Sequence, residues 1–113
     1  MHDRRQRQED RVRLGGSVRL LVDTPTGLRT ATGQVIDLSE GGCAIRVQRI
    51  VEAELAGRVL VEVARKAIWL PIVTRWVRRD LHGWVVGCQF DRPTPEKARA
   101  IRSLLWERRR LTA

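Results

Sequence analysis

Two groups of residues in this chain have the types and spacing needed to hold an anion. Arg4, Arg5, Arg7 and Arg11 open the sequence, while Asp37, Ser39, Gly41 and Gly42 sit where the apolar run ending at Ile36 gives way to another beginning at Cys43. Arginine carries a permanent charge on a planar fork that pairs bidentately with phosphate and stacks on flat rings. Lysine, a point charge, is therefore expected to be a poor substitute at Arg7 or Arg11. Asp37 and Ser39 add a carboxylate acceptor and a hydroxyl that both donates and accepts. The paired glycines are expected to permit backbone angles and close approaches that a Cβ would prevent.

Such residues need a scaffold, and the rest of the chain supplies short strands with frequent turns. From Ser17, Val18, Leu20 and Val22 alternate with Arg19 and Leu21 until Thr24-Pro25-Thr26-Gly27 breaks the run, predicting a strand and a turn. Further strands are predicted over about 28–36, delivering Asp37 and Ser39 to their turn, and over 43–47. Residues 51–55 fit either a helical turn or a loop. Val59, Val61 and Val63 mark a fourth strand, Arg65-Lys66 a hairpin turn, and residues 67–77 a fifth strand. Pro71 lacks the donor a central strand position needs, which predicts a bulge or an edge. Residues 78–83 read as a polar connection, and 84–90 as a last buried strand. Thr94 suits an N-cap, Pro95 the first helical position and Glu96 the positive end of the helix dipole. A helix is predicted over about 95–110, with Ala98, Ile101, Leu104 and Leu105 packing on the sheet and Arg99, Arg102 and Arg109 facing solvent. The pattern is mainly β, a small antiparallel six-stranded β-barrel with a C-terminal α-helix.

With 113 residues, 42% of them hydrophobic, the chain suits a single core, with residues 1–13 as a flexible basic arm and 14–113 as the barrel domain. No stretch approaches the roughly 20 apolar residues that span a bilayer, and the charged amino terminus is unlike a secretion signal, so a cytoplasmic protein is expected. Twenty arginines and two lysines against 13 acids give a net charge of +9, with both ends basic, which favours anionic partners. Cys43 and Cys88 form neither a metal cluster nor a disulfide framework and are read as buried thiols; a redox pair would require their strands to be neighbours. Trp69, Trp76 and Trp84 are read as core or barrel-rim packing rather than base-stacking platforms, although one near the site could do both. His2 and His82 are isolated and take no role. There is no nucleophile with a base, no catalytic carboxylate pair and no metal-ligand cluster, so neither an enzyme nor a metal or cofactor protein is expected.

Arg7-x-x-x-Arg11, followed by Asp37-x-Ser39-x-x-Gly42 and a late Gly87-x-x-Phe90 strand, resembles the PilZ domain family, the bacterial receptor module for the second messenger cyclic di-GMP. The likeness runs from about Arg4 to the end of the predicted helix. It implies a PilZ-like barrel whose ligand is held by Arg7 and Arg11, with Arg4 and Arg5 beside them, on its phosphates and on guanine O6 and N7. Asp37 would accept from guanine N1 and N2, Ser39 would bond a base edge or phosphate, and Gly42 with Gly41 would let the ligand approach. Cyclic di-GMP would act as a regulatory ligand: the arm wraps over it, becomes ordered, and changes the surface shown to an effector protein. Gln6 stands where many family members carry a second arginine, a position that bears on whether one or two stacked ligand molecules are held. Two other classes fit the same residues. A nucleic-acid-binding barrel would use the basic ends and exposed tryptophans on many sequences, and a ligand-free adaptor would recognise a protein through an exposed face.

Overall fold

The computed structural model describes residues 12–13, 17–49, 51–63 and 65–112. Its elements are β1 (Val12–Arg13), β2 (Ser17–Thr24), β3 (Gly27–Leu38), β4 (Gly42–Val47), β5 (Ala56–Val63), β6 (Lys66–Asp80), β7 (Gly83–Phe90) and α1 (Pro95–Thr112). Strands β3, β2, β5, β6, β7 and β4 pair in that order, and β3 pairs again with β4, closing a six-stranded antiparallel barrel. The short β1 lies along the same edge of β3 as β2 does, opposite β4, with Val12 paired to Leu38 and Arg13 to Asp37.

Alternation builds the interior. Leu20, Ile45, Val47, Val59, Leu70, Ile72 and Val86 point inward and are buried. Helix α1 packs against β1 and β5. It adds Ile101, Leu104 and Leu105 to the same core. At about 1.5–3 kcal/mol for each buried side chain, these three hold the helix by roughly 5–9 kcal/mol. Its start follows the expected chemistry: the Lys97 amide donates to Thr94 Oγ1 at 3.2 Å and the Ala98 amide to the Thr94 carbonyl at 2.8 Å.

Several boundaries differ from the sequence expectations. Residues 78–80 are strand, since β6 runs on to the Asp80–Gly83 pair and only Leu81 and His82 make the turn. Their polarity misleads because this end of the hairpin is solvated. It is also pinned, with Arg46 donating to Asp80 Oδ2 at 2.9 Å and the His82 amide to Asp80 Oδ1 at 2.8 Å. The Arg46 guanidinium and then that amide hold the Asp80 carboxyl below the usual carboxylate range. The β5–β6 hairpin closes on Val63 and Lys66, so Lys66 is already strand and Arg65, at φ 66°, is in the turn.

Pro71 is at an edge rather than a bulge. It pairs in register with Arg58 of β5, but its carbonyl accepts from the Asp91 amide at 2.9 Å, on the side where β7 ends at the Ile72–Phe90 pair. A strand residue's nitrogen points the same way as its carbonyl, so the missing N–H of Pro71 breaks no bond of the ladder. The bulge lies further on, between Thr74 and Trp76, and a second interrupts β3 between Val35 and Asp37.

Residues 51–55 form a loop tied down by Thr74. This fully buried threonine donates from Oγ1 to the Glu52 carbonyl at 2.8 Å and accepts from the Leu55 amide at 2.9 Å. Its backbone exchanges bonds of 2.6 and 2.8 Å with Glu54 and Leu55, and Glu54 is left-handed at φ 64°. Thr74→Val keeps the shape and removes the hydroxyl, stranding two backbone groups of the loop. It should lower stability by about 1–3 kcal/mol in urea unfolding; an unchanged midpoint would show that the hydroxyl does not organise the loop.

Candidate functional site

Each bulge turns a side chain round. Val35 points into the core and Asp37, two residues on, would follow it; the extra residue Ile36 sends Asp37 outward and Leu38, 1% exposed, inward. In β6, Leu70, Ile72 and Thr74 point inward and Trp76 would be next. The extra residue Arg75 turns Trp76 out to 39% exposure and brings Val77 against the core.

The register then sets these residues in one row. Asp37 pairs with Ala44, Ala44 with Gly87, and Gly87 with Trp76, so a line of four residues crosses β3, β4, β7 and β6 on the outer wall. The two middle members are small, and the two ends carry a carboxylate and an indole. The indole of Trp76 folds over Gly87 so closely that a Cβ there would collide with it. Arg78 stacks on the Trp76 ring, its guanidinium 5.3 Å from the centroid.

The turn after Asp37 borders the same ground. Ser39 donates from its amide, at 2.8 Å, and from its hydroxyl, at 3.3 Å, to the Gly42 carbonyl, while the Phe90 amide reaches the Gly41 carbonyl at 2.9 Å. Ser39 thus builds its own turn, and its hydroxyl keeps lone pairs for another donor. Neither Gly41 nor Gly42 adopts a positive φ, so their expected conformational role is not the reason for them. Gly42 is needed because β7 passes too near: a Cβ would meet the Cys88 carbonyl. Gly41 faces open space.

A cavity of about 870 Å³ opens on this row. Its barrel side is formed by Asp37, Ser39, Gly41, Gly42, Trp76 and Gln89, and Arg75 stands at its edge. Arg75 donates from Nε to Gln89 Oε1 at 2.6 Å and pairs with Glu54 Oε2 at 3.0 Å, joining the 51–55 loop to β7. Arg102, Leu105 and Trp106 of α1 line the cavity from the helix. Hence Arg102 is exposed, as the helical period predicts, but borders the cavity. Trp76 is not core packing, whereas Trp84 is packed against the core and Trp69 carries Arg58 at 5.3 Å from its ring. The adjacent apolar pair Trp76-Val77 after Leu70, Ile72 and Thr74 is the sequence signal of that flip.

Of the predicted site residues, Asp37, Ser39, Gly41 and Gly42 come together at this cavity. Arg4, Arg5, Arg7 and Arg11 lie outside the described residues. Cys43 and Cys88 are register partners across β4 and β7, so the condition set for a redox pair is met in topology, yet both are free and buried. A hydrogen bond with Cys88, then burial, raises the Cys43 thiol well above its ordinary range and keeps it protonated. Among the described residues no group of His, Cys, Asp or Glu could hold a metal, and no helix is long and apolar enough to cross a membrane.

The family model for the PilZ domain matches residues 5–106. The chain belongs to the PilZ domain family. Several solved structures share its fold. YcgR from Escherichia coli, in complex with c-di-GMP, superposes with a TM-score of 0.74 at 12% identity over 90% of this chain and 45% of that one. MrkH of K. pneumonia in its apo state gives 0.71 at 18% identity over 90% and 50%. The PilZ domain of CeSA from a cellulose-synthesizing bacterium gives 0.62 at 15% identity over 86% and 95%. The chain thus spans about half the length of YcgR and MrkH. Among curated protein sequences, none matches it.

In this PilZ barrel the second glycine of the motif is held by packing, and the first is free of it. Gly42→Ala should destabilise the fold by about 1–3 kcal/mol, whereas Gly41→Ala should stay within about 0.5 kcal/mol. Urea unfolding of the two variants distinguishes them; equal effects would refute the β7 approach as the reason for Gly42.

Proposed function

We propose that this PilZ domain is a receptor for cyclic di-GMP, and that its output passes through a partner protein. One juxtaposition carries the reading: β1 pairs Val12 and Arg13 with Leu38 and Asp37. Val12, the residue that follows the Arg7-x-x-x-Arg11 motif in sequence, is therefore paired beside the Asp37-x-Ser39 turn. Arg11 is one peptide from Val12, whose register partner is one peptide from Ser39. Arg7 is five residues from Val12, a reach of at most about 18 Å. Solved structures of YcgR and of its PilZ domain with c-di-GMP lend further support.

The chemistry divides between the two parts. Arginine forks supply cations for the two phosphates and donors for guanine O6 and N7, and Asp37 supplies the acceptor for N1 and N2. Ser39 offers a hydroxyl whose position is fixed by its own turn, and Gly41 leaves open space beside it. Ligand binding changes which surface the arm covers, and that change is the signal a partner reads.

Magnitudes decide how many contacts are needed. Fixing residues 7–11 costs about 1–2 kcal/mol each, roughly 5–10 in all. Four or more charge-assisted hydrogen bonds at about 1.5–3 kcal/mol each offset that with little left over. Neither arginine is dispensable on this count. Calorimetry with cyclic di-GMP should give saturable binding by the parent chain and a loss of roughly a hundredfold or more in both Arg7→Ala and Arg11→Ala. GTP and a short oligonucleotide serve as controls. Parental affinity in both variants, or equal binding of the oligonucleotide, would contradict the reading.

A further inference from the structure

Helix α1 does more in this fold than complete the core. Its buried stripe is Ile101, Leu104 and Leu105, and the flank beside that stripe carries Arg102 and Trp106. These two are four residues apart, one helical turn, so they project side by side. Both line the 870 Å³ cavity whose opposite side is the Asp37–Trp76 row. Trp106 is 59% exposed, an unusually large apolar surface to leave on a helix whose core stripe is already complete. Trp76 is the other exposed tryptophan of the described residues, and it lines the same cavity.

The two arginines that line this space are not equivalent. Arg75 is engaged by Gln89 and Glu54. Arg102 has no ion-pair partner among the described residues. An uncommitted guanidinium one turn from an exposed indole is the pairing that grips a nucleotide, with the fork on a phosphate or guanine edge and the ring against a base.

We infer that α1 is a second wall of the ligand site: Trp106 stacks on a purine of cyclic di-GMP and Arg102 binds its phosphate or guanine edge, so that the ligand bridges the helix and the barrel. This rests on the receptor reading above and extends it to residues outside the Arg-x-x-x-Arg and Asp-x-Ser motifs. A bridging ligand ties the helix to the β3–β4 turn. The position of α1 then becomes ligand-dependent, and the helix is the part of the surface that reports occupancy.

The test is calorimetric titration of cyclic di-GMP into the parent chain and into Trp106→Ala, Trp106→Phe, Arg102→Ala and Arg102→Lys, with thermal unfolding of each variant without ligand. Trp106→Ala and Arg102→Ala should each bind about tenfold or more weakly. Trp106→Phe should recover most of the affinity, and Arg102→Lys should recover less, because a lysine lacks the fork. Unfolding midpoints should stay close to the parent's, since both side chains are exposed. Parental affinity in both alanine variants, with the parent binding well, would overturn the helix wall and leave the receptor reading standing. No binding by the parent would overturn both. Should Trp106→Ala misfold, the Phe and Arg102 variants decide the matter alone.

Discussion

Strand alternation would send Asp37 and Trp76 into the barrel interior behind Val35 and Thr74, and the structure depends on one added residue in each strand that turns both outward. A carboxylate in the core without a partner would be costly, and an indole beside Thr74 would not fit a small, closed barrel. Outside, the antiparallel register aligns the two with Ala44 and Gly87 between them, and the small residues leave the hollow that the large ones border. Since β4 and β7 run straight while β3 and β6 carry the bulges, the row is a property of four strands at once. It belongs to the barrel wall.

This arrangement separates the rigid from the adjustable half of the site. Asp37, Ser39 and Gly42 are fixed by backbone pairing and by β7, whose carbonyl at Cys88 excludes any side chain at Gly42. The loop of residues 51–55 is fastened by Thr74, the residue before the β6 bulge, and Arg75 within that bulge ties the loop to Gln89. Bulge, loop and cavity edge are thus one unit. Against it stands helix α1, seated on the wall through Ile101, Leu104 and Leu105; in the receptor reading proposed above, a ligand reaching from wall to helix would bias how the helix presents its exposed face.

Much of this was legible in the residues. Alternation at Val18, Leu20 and Val22 and at Val59, Val61 and Val63, the Thr94-Pro95 helix start, and the Asp37-x-Ser39-x-x-Gly42 turn all act locally, through backbone angle, capping and period. What escaped depends on a partner strand. A bulge is a mismatch between two strands, so Ile36 leaves no mark in its own strand and Arg75 leaves only the adjacent apolar pair Trp76-Val77; both are identified as extra once β4 and β7 are counted against them. The sequence suggests Gly42 both for a tight turn and for room beside a ligand; the neighbour that excludes a Cβ is the Cys88 carbonyl, 46 positions away. Periodicity places Arg102 on the solvent face but cannot say that this solvent fills a cavity.

We propose that cyclic di-GMP rests on the outward row from Asp37 to Trp76. Intermolecular nuclear Overhauser effects between bound cyclic di-GMP and the protein report on this surface. Contacts are expected from guanine protons to the Trp76 indole and to the backbone amides of residues 37–42. Bound ligand whose contacts fall elsewhere on the barrel, with none to either end of the row, would contradict it.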